Sequence, residues 1–142
     1  MFEAQTEWIA PDNFPDLSGY KLIAIDLETR DPDLKSKGSG AVIGNGEIIG
    51  VAVAVDGWCK YYPFGHEGGG NLDKKKILSW LTDVCATEAT KIFHNAMYDV
   101  CWLRHYGIKI NGHIMDTMVM ASLVNENRMR YTLNALSWEY LG

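Results

Sequence analysis

Lys21-Leu-Ile-Ala-Ile-Asp-Leu-Glu28, KLIAIDLE, is the stretch on which the fold turns. Leu22, Ile23, Ala24 and Ile25 are apolar without a break, the pattern of a central strand covered on both faces. Side chains two apart on a strand point the same way, so Asp26 and Glu28 project together while Leu27 points opposite. Two like charges so placed repel one another, and partial burial adds a desolvation cost. A hard divalent cation relieves both penalties, and an oxygen-only donor set favours Mg²⁺ or Mn²⁺ over zinc. A polar strand end facing water explains the pair equally well on these residues alone.

Downstream of this strand, residues 30–46 carry Pro32 and four glycines and read as a long, mobile loop. Glu47–Asp56 is rich in β-branched residues, Gly57 offers a turn, and Trp58–Phe64 returns, which predicts a hairpin. Leu72–Ala86 has helical periodicity, with Ile77, Leu81, Val84 and Cys85 on one stripe, Asn71 as cap, and Lys74, Lys75 and Lys76 in solvent. A short strand at Lys91–His94 precedes a helix at Ala96–Tyr106, which Gly107 ends. Another short strand near His113–Met115 leads into helices at Thr117–Val124 and Thr132–Leu141. A hairpin followed by βα units predicts an α/β chain, a mixed sheet with helices packed against it. Residues 1–20 read as an irregular arm and 21–142 as the domain proper.

The chain has 142 residues, 47% apolar and 22% charged, which is the composition of one ordinary globular domain. No apolar stretch approaches the ~20 residues that span a bilayer, and no secretory leader opens the chain, so a cytoplasmic location without membrane partners is expected. Net charge is −5, which disfavours a non-specific DNA coater built on cationic phosphate contacts. It leaves open a nucleic-acid site in which metal ions neutralise phosphate. Cys59, Cys85 and Cys101 have no CxxC spacing and read as reduced, buried thiols; no HExxH pattern marks a zinc site, and Trp58, Trp80, Trp102 and Trp138 fall in regular elements as core candidates. The glycine-rich 38–46 stretch lacks the Lys-Ser/Thr of a phosphate loop and enters a strand.

A second constellation is His94-Asn95-Ala-Met-Tyr98-Asp99 at a strand-to-helix turn. Asn95 and Asp99, four apart, share one side of the helix start. Asn95 also suits an N-cap, and Asp99 suits the positive end of the helix.

The two constellations together, with IAIDLET at 23–29, PFGH at 63–66, FHNAMYD at 93–99, MDTMVMASLV at 115–124 and TLNALSWEYLG at 132–142, resemble the DEDD-type 3′–5′ exonucleases. In particular, the chain is similar to the proofreading domain of family A, polymerase I-like, DNA polymerases of bacteria and phages. That resemblance implies an RNase H-like five-stranded sheet, three strands in an antiparallel meander and two parallel, flanked by helices. It also implies phosphodiester hydrolysis at single-stranded or frayed DNA 3′ ends by two divalent ions, Mg²⁺ or Mn²⁺. Asp26, Glu28 and Asp99 would be the catalytic, metal-binding carboxylates. Thr29, Asn95, Met97, Tyr98 and Asp116 would meet the substrate, with Asp116 also suited to cap the next helix.

The family's third motif, a Tyr or His four residues before a fourth carboxylate, does not occur: Tyr131 is followed at that spacing by Ala135, His113 by Thr117 and Tyr106 by Ile110. Weak or no activity is therefore expected of these residues alone unless another chain supplies the missing carboxylate, and a polymerase domain in the same or another chain is a candidate partner. Two other readings stand beside proofreading. One is a catalytically incomplete nucleic-acid-binding fragment; the other is an RNase D-like processor of RNA 3′ ends, since a 2′-OH contact leaves no mark in these motifs.

Overall fold

In the computed structural model, which describes residues 8–142, one five-stranded sheet carries the chain. Its strands are β1 (Leu22–Arg30), β2 (Glu47–Val55), β3 (Trp58–Pro63), β4 (Thr90–Phe93) and β5 (Ile114–Asp116), in the spatial order β3-β2-β1-β4-β5. β1, β2 and β3 run antiparallel as a meander, while β1–β4 and β4–β5 pair parallel, as the hairpin-then-βα order predicts. The longer helices are α3 (Lys74–Ala86), α4 (Ala96–His105), α5 (Thr117–Val124) and α6 (Leu133–Leu141). Among the described residues, no helix is long and apolar enough to cross a membrane.

Burial along β1 alternates. Ile23, Ile25 and Leu27 join Val51, Val53 and Tyr62 of the neighbouring strands and Ile77, Leu81, Trp102 and Leu103 of α3 and α4 in one buried cluster. Each such side chain contributes roughly 1.5–3 kcal/mol by leaving water. The arm expected over residues 1–20 is described from Trp8 onward, residues 1–7 lying outside the described residues. It has no helix or strand, yet Leu17 is buried, Phe14 stacks on Tyr62, and the Trp80 indole donates to the Pro15 carbonyl at 2.8 Å.

Several expectations need correction. The described residues do not cover β1 on both faces: Ala24 and Asp26, with Ala52, Ala54 and Tyr61, line an open groove of about 850 Å³. A continuous apolar run fixes what one face buries but does not show whether anything lies over the small alanines of the other. Residues 30–46 are not a structureless loop, since they hold two helical turns, α1 (Leu34–Lys37) and α2 (Gly40–Ile43). Asp31 orders them by accepting the Gly40 amide on both carboxylate oxygens, at 3.1 and 3.0 Å. Gly40 is there for close approach, because a Cβ on it would run into the Asn45 carbonyl.

α3 starts at Lys74 rather than Leu72, and its cap is Asp73, whose side chain accepts the Lys75 and Lys76 amides. Asn71 brackets His66 instead. Lys74 is half-buried rather than free in solvent, pairing with Glu47 at 3.1 Å and lying over the Phe64 and Tyr106 rings. Cys85 is buried, but Cys59 is exposed on the groove side, and Trp138 is exposed rather than core.

Candidate active site

β4 pairs with β1 only as far as Ala24, so the next β1 amides on that side have lost their strand partner. The chain leaves β4 at Phe93, passes through Asn95 in a left-handed conformation (φ 68°, ψ 55°) and enters α4. Asparagine tolerates this region better than most residues. The turn brings Asp99 against β1, where its Oδ1 accepts the Leu27 amide at 3.1 Å. That amide lies between Asp26 and Glu28 in the chain, so covalent geometry puts the Asp99 carboxylate within about 6 Å of the Asp26 α-carbon and about 8 Å of that of Glu28. The Asp99 carboxyl is thus brought against the stretch of β1 that carries Asp26 and Glu28.

Their electrostatics are unbalanced. Asp99 is 3% exposed, and burial pushes its carboxyl up to about 7; the Leu27 amide opposes the rise and the Asp26 charge adds to it. Desolvation also raises the Asp26 carboxyl, against the pull of His94. Among the described residues, no Lys or Arg forms an ion pair with Asp26, Glu28 or Asp99. An uncompensated set of hard oxygen donors is what a divalent cation fits. As they stand, no three acidic, His or Cys side chains among the described residues are grouped tightly enough to enclose an ion. Asp26 and Glu28 are exposed, whereas Asp99 is buried and anchored by the Leu27 amide.

The other expected residues divide. Thr29 Oγ1 and the Tyr98 hydroxyl are hydrogen-bonded at 2.7 Å, and the same hydroxyl donates to Asp31 Oδ2 at 2.9 Å. Tyr98 therefore ties the 31–46 segment to the end of β1, while its neighbour Met97 is 78% exposed. Asn95 makes no side-chain cap bond and is exposed at the turn. Asp116 accepts the Asn95, Ala96, Met118 and Val119 amides, which lowers its carboxyl against the effect of burial. It caps α5 and pins the Asn95 turn. His94 is held between Thr117 Oγ1 and the Tyr131 carbonyl.

Two participants had no sequence signal. Asp31 sits in what read as a loop. Tyr61, on β3, reaches the groove bonded to His66 Nε2. Burial, then the Glu28 and Asp26 charges, push its phenol up to about 12.

The family described as 3′–5′ exonuclease matches residues 4–142. A DNA-directed DNA polymerase of Pseudomonas phage M6 is 34% identical over 146 residues, which is 96% of this chain and 22% of that protein. DNA polymerase I of Chloroflexus aurantiacus is 31% identical over 81 residues, 56% of this chain and 8% of the relative. The chain spans about a fifth of the length of the phage polymerases it matches. Among solved structures, Brucella melitensis NrnC with bound Mg²⁺ superposes with a TM-score of 0.65 at 19% identity, over 94% of this chain and 59% of that one. The POL domain of Pol1 from M. smegmatis, in complex with DNA primer-template and dNTP, gives 0.60 at 20% identity, over 87% and 19%. At such identities the superpositions speak for the fold.

Proposed function

The chain belongs to the 3′–5′ exonuclease family of polymerase I-type DNA polymerases, and from that membership we propose that it removes nucleotides from single-stranded or frayed DNA 3′ ends, proofreading for a polymerase domain. The family is metal-dependent. In this reading Asp26, Glu28 and Asp99 hold two divalent cations, Mg²⁺ or Mn²⁺, whose chemistry is to activate the attacking water and neutralise the leaving 3′ oxygen. The chain's own part is to hold three oxygen donors at one strand edge, keep cationic side chains away from them, and leave a groove beside them for the terminal nucleotide. Thr29, Asn95 and Met97 are assigned to the substrate strand. Tyr98 and Asp116 act on it through the segments they anchor.

The observation that supports this reading best is the Asp99–Leu27 bond, which holds a buried carboxyl against the backbone of the β1 residue that lies between Asp26 and Glu28 in the chain. The test is a 5′-labelled single-stranded oligonucleotide incubated in Mn²⁺ with and without EDTA, beside Asp26→Ala. Stepwise 3′ shortening that needs both the metal and Asp26 is the expected result. Tight binding without shortening means a binding fragment, and a preference for RNA over DNA moves the substrate to RNA 3′ ends.

A further inference from the structure

Asp26 pairs across the sheet with Ala52, and Ala52 with Tyr61, so these residues form one cross-strand row on the groove face. Ala52 is small enough for the Tyr61 ring to lean along β2 to the neighbouring row. There it meets Gly50, the direct partner of Glu28. A Cβ built on Gly50 would land on the Tyr61 hydroxyl oxygen. The hydroxyl thus occupies the position a side chain at 50 would take. Directly opposed residues of an antiparallel pair hold their β-carbons about 5 Å apart, so the hydroxyl lies about that far from Glu28 Cβ.

It is also held there. His66 Nε2 bonds the hydroxyl, and Asn71 fixes His66 in turn, accepting its amide at 2.8 Å and donating to its carbonyl at 2.7 Å. Two nearby cations are engaged elsewhere, Arg30 with Glu47 and the Gly65 carbonyl and Lys74 with Glu47, while Lys60 also lines the groove.

Resting on the exonuclease reading, we propose that Tyr61 is a substrate-contacting residue: its hydroxyl, accepting from His66 Nε2–H, donates its one proton in a hydrogen bond to a phosphate oxygen of the 3′-terminal nucleotide. Between acidic side chains and an incoming anion, a neutral O–H supplies a donor without competing for the cation. His66 is a positioning residue and acts through Tyr61.

Calorimetric titration with thymidine 5′-monophosphate in Mg²⁺, Mn²⁺ binding followed by paramagnetic resonance, and thermal melting test this on the folded chain. Tyr61→Phe is expected to weaken nucleotide binding about tenfold, the scale of one hydrogen bond to a charged acceptor, with Mn²⁺ affinity within about twofold and melting unchanged. His66→Ala is expected to reproduce that loss, and the double variant to add little to either, as coupled residues do. Tyr20→Phe, at an exposed tyrosine, changes nothing. Unchanged nucleotide affinity in Tyr61→Phe overturns the proposal. So does a parallel loss of Mn²⁺ affinity, which would assign the hydroxyl to Glu28 instead. A wild-type chain that takes up Mn²⁺ but no nucleotide also overturns it, and one that takes up neither overturns the exonuclease reading itself.

Discussion

Asp99→Asn is expected to stabilise the metal-free protein at neutral pH while abolishing its chemistry. The Asp99 carboxyl is 3% exposed and raised from 3.8 to about 7, so in the folded chain it keeps its proton where the unfolded chain has lost it. Folding is therefore unpenalised below about pH 4, loses stability steadily as pH rises to about 7, and loses no more above that. At 1.36 kcal/mol per unit the full penalty is at most about 4 kcal/mol. Asparagine retains the oxygen that accepts the Leu27 amide, now at 3.1 Å, and has no charge to bury. In EDTA the variant should melt with wild type near pH 4 and about 10 °C above it at pH 8, since 1 kcal/mol is worth roughly 3 °C in a chain of this size. Mg²⁺ favours the ionised form, so its stabilisation of wild type should grow with pH and be small in the variant. A gap between variant and wild type that stays constant from pH 4.5 to 8 refutes the reasoning, because it removes Asp99 as a group forced to stay neutral without its cation.

Tyr98→Phe removes the hydrogen bonds to Thr29 and Asp31 and should cost about 1–2 kcal/mol, with faster tryptic cleavage after the exposed Lys35 or Lys37 as the more direct readout. Lys91→Met strips the buried ammonium from the Ala89 and Asn111 carbonyls, both at 3.0 Å, and from Thr87; urea unfolding should show a loss of about 3 kcal/mol. Thr132→Ala deletes the oxygen that accepts the Ala135 amide and should loosen α6 by about 1 kcal/mol, read as faster amide exchange confined to that helix. Gly50→Ala should displace the Tyr61 ring and copy the Tyr61→Phe loss of nucleotide binding, and retained binding would argue against the hydroxyl's placement.

What the sequence disclosed was whatever depends on local periodicity. The alternation around Leu27 places Asp26 and Glu28 on one face whatever the rest of the chain does; the four-residue spacing of Asn95 and Asp99 did not reveal that Asn95 lies outside the helix in a left-handed turn, exposed, while Asp99 is buried against β1. What stayed hidden depends on register or on choices between equivalent local signals. Asn71 and Asp73 are both good caps two residues apart, and the choice is made by His66, which occupies the Asn71 amide. Tyr61 and Tyr62 are adjacent and chemically alike, yet one is core and the other faces the carboxylates; only the β1–β2–β3 pairing decides which. The glycines of 38–46 read as freedom, whereas Gly40 is needed for contact with Asn45 and is locked by Asp31.

The departures from ordinary protein chemistry gather at one place. Asn95 is the non-glycine residue with positive φ among the described residues, Asp99 is the buried acid, and Gly50 is a strand-interior glycine under an aromatic hydroxyl. All three flank the end of β1 where β4 has let go. Each is a local cost: a strained backbone conformation, a desolvated carboxyl, a strand position with no side chain to pack. Stability alone would select glycine at 95, asparagine or leucine at 99 and a β-branched residue at 50. Departures from those preferences on three elements, β2, α4 and the turn before it, that gather round one strand end mark the place where a functional site is expected.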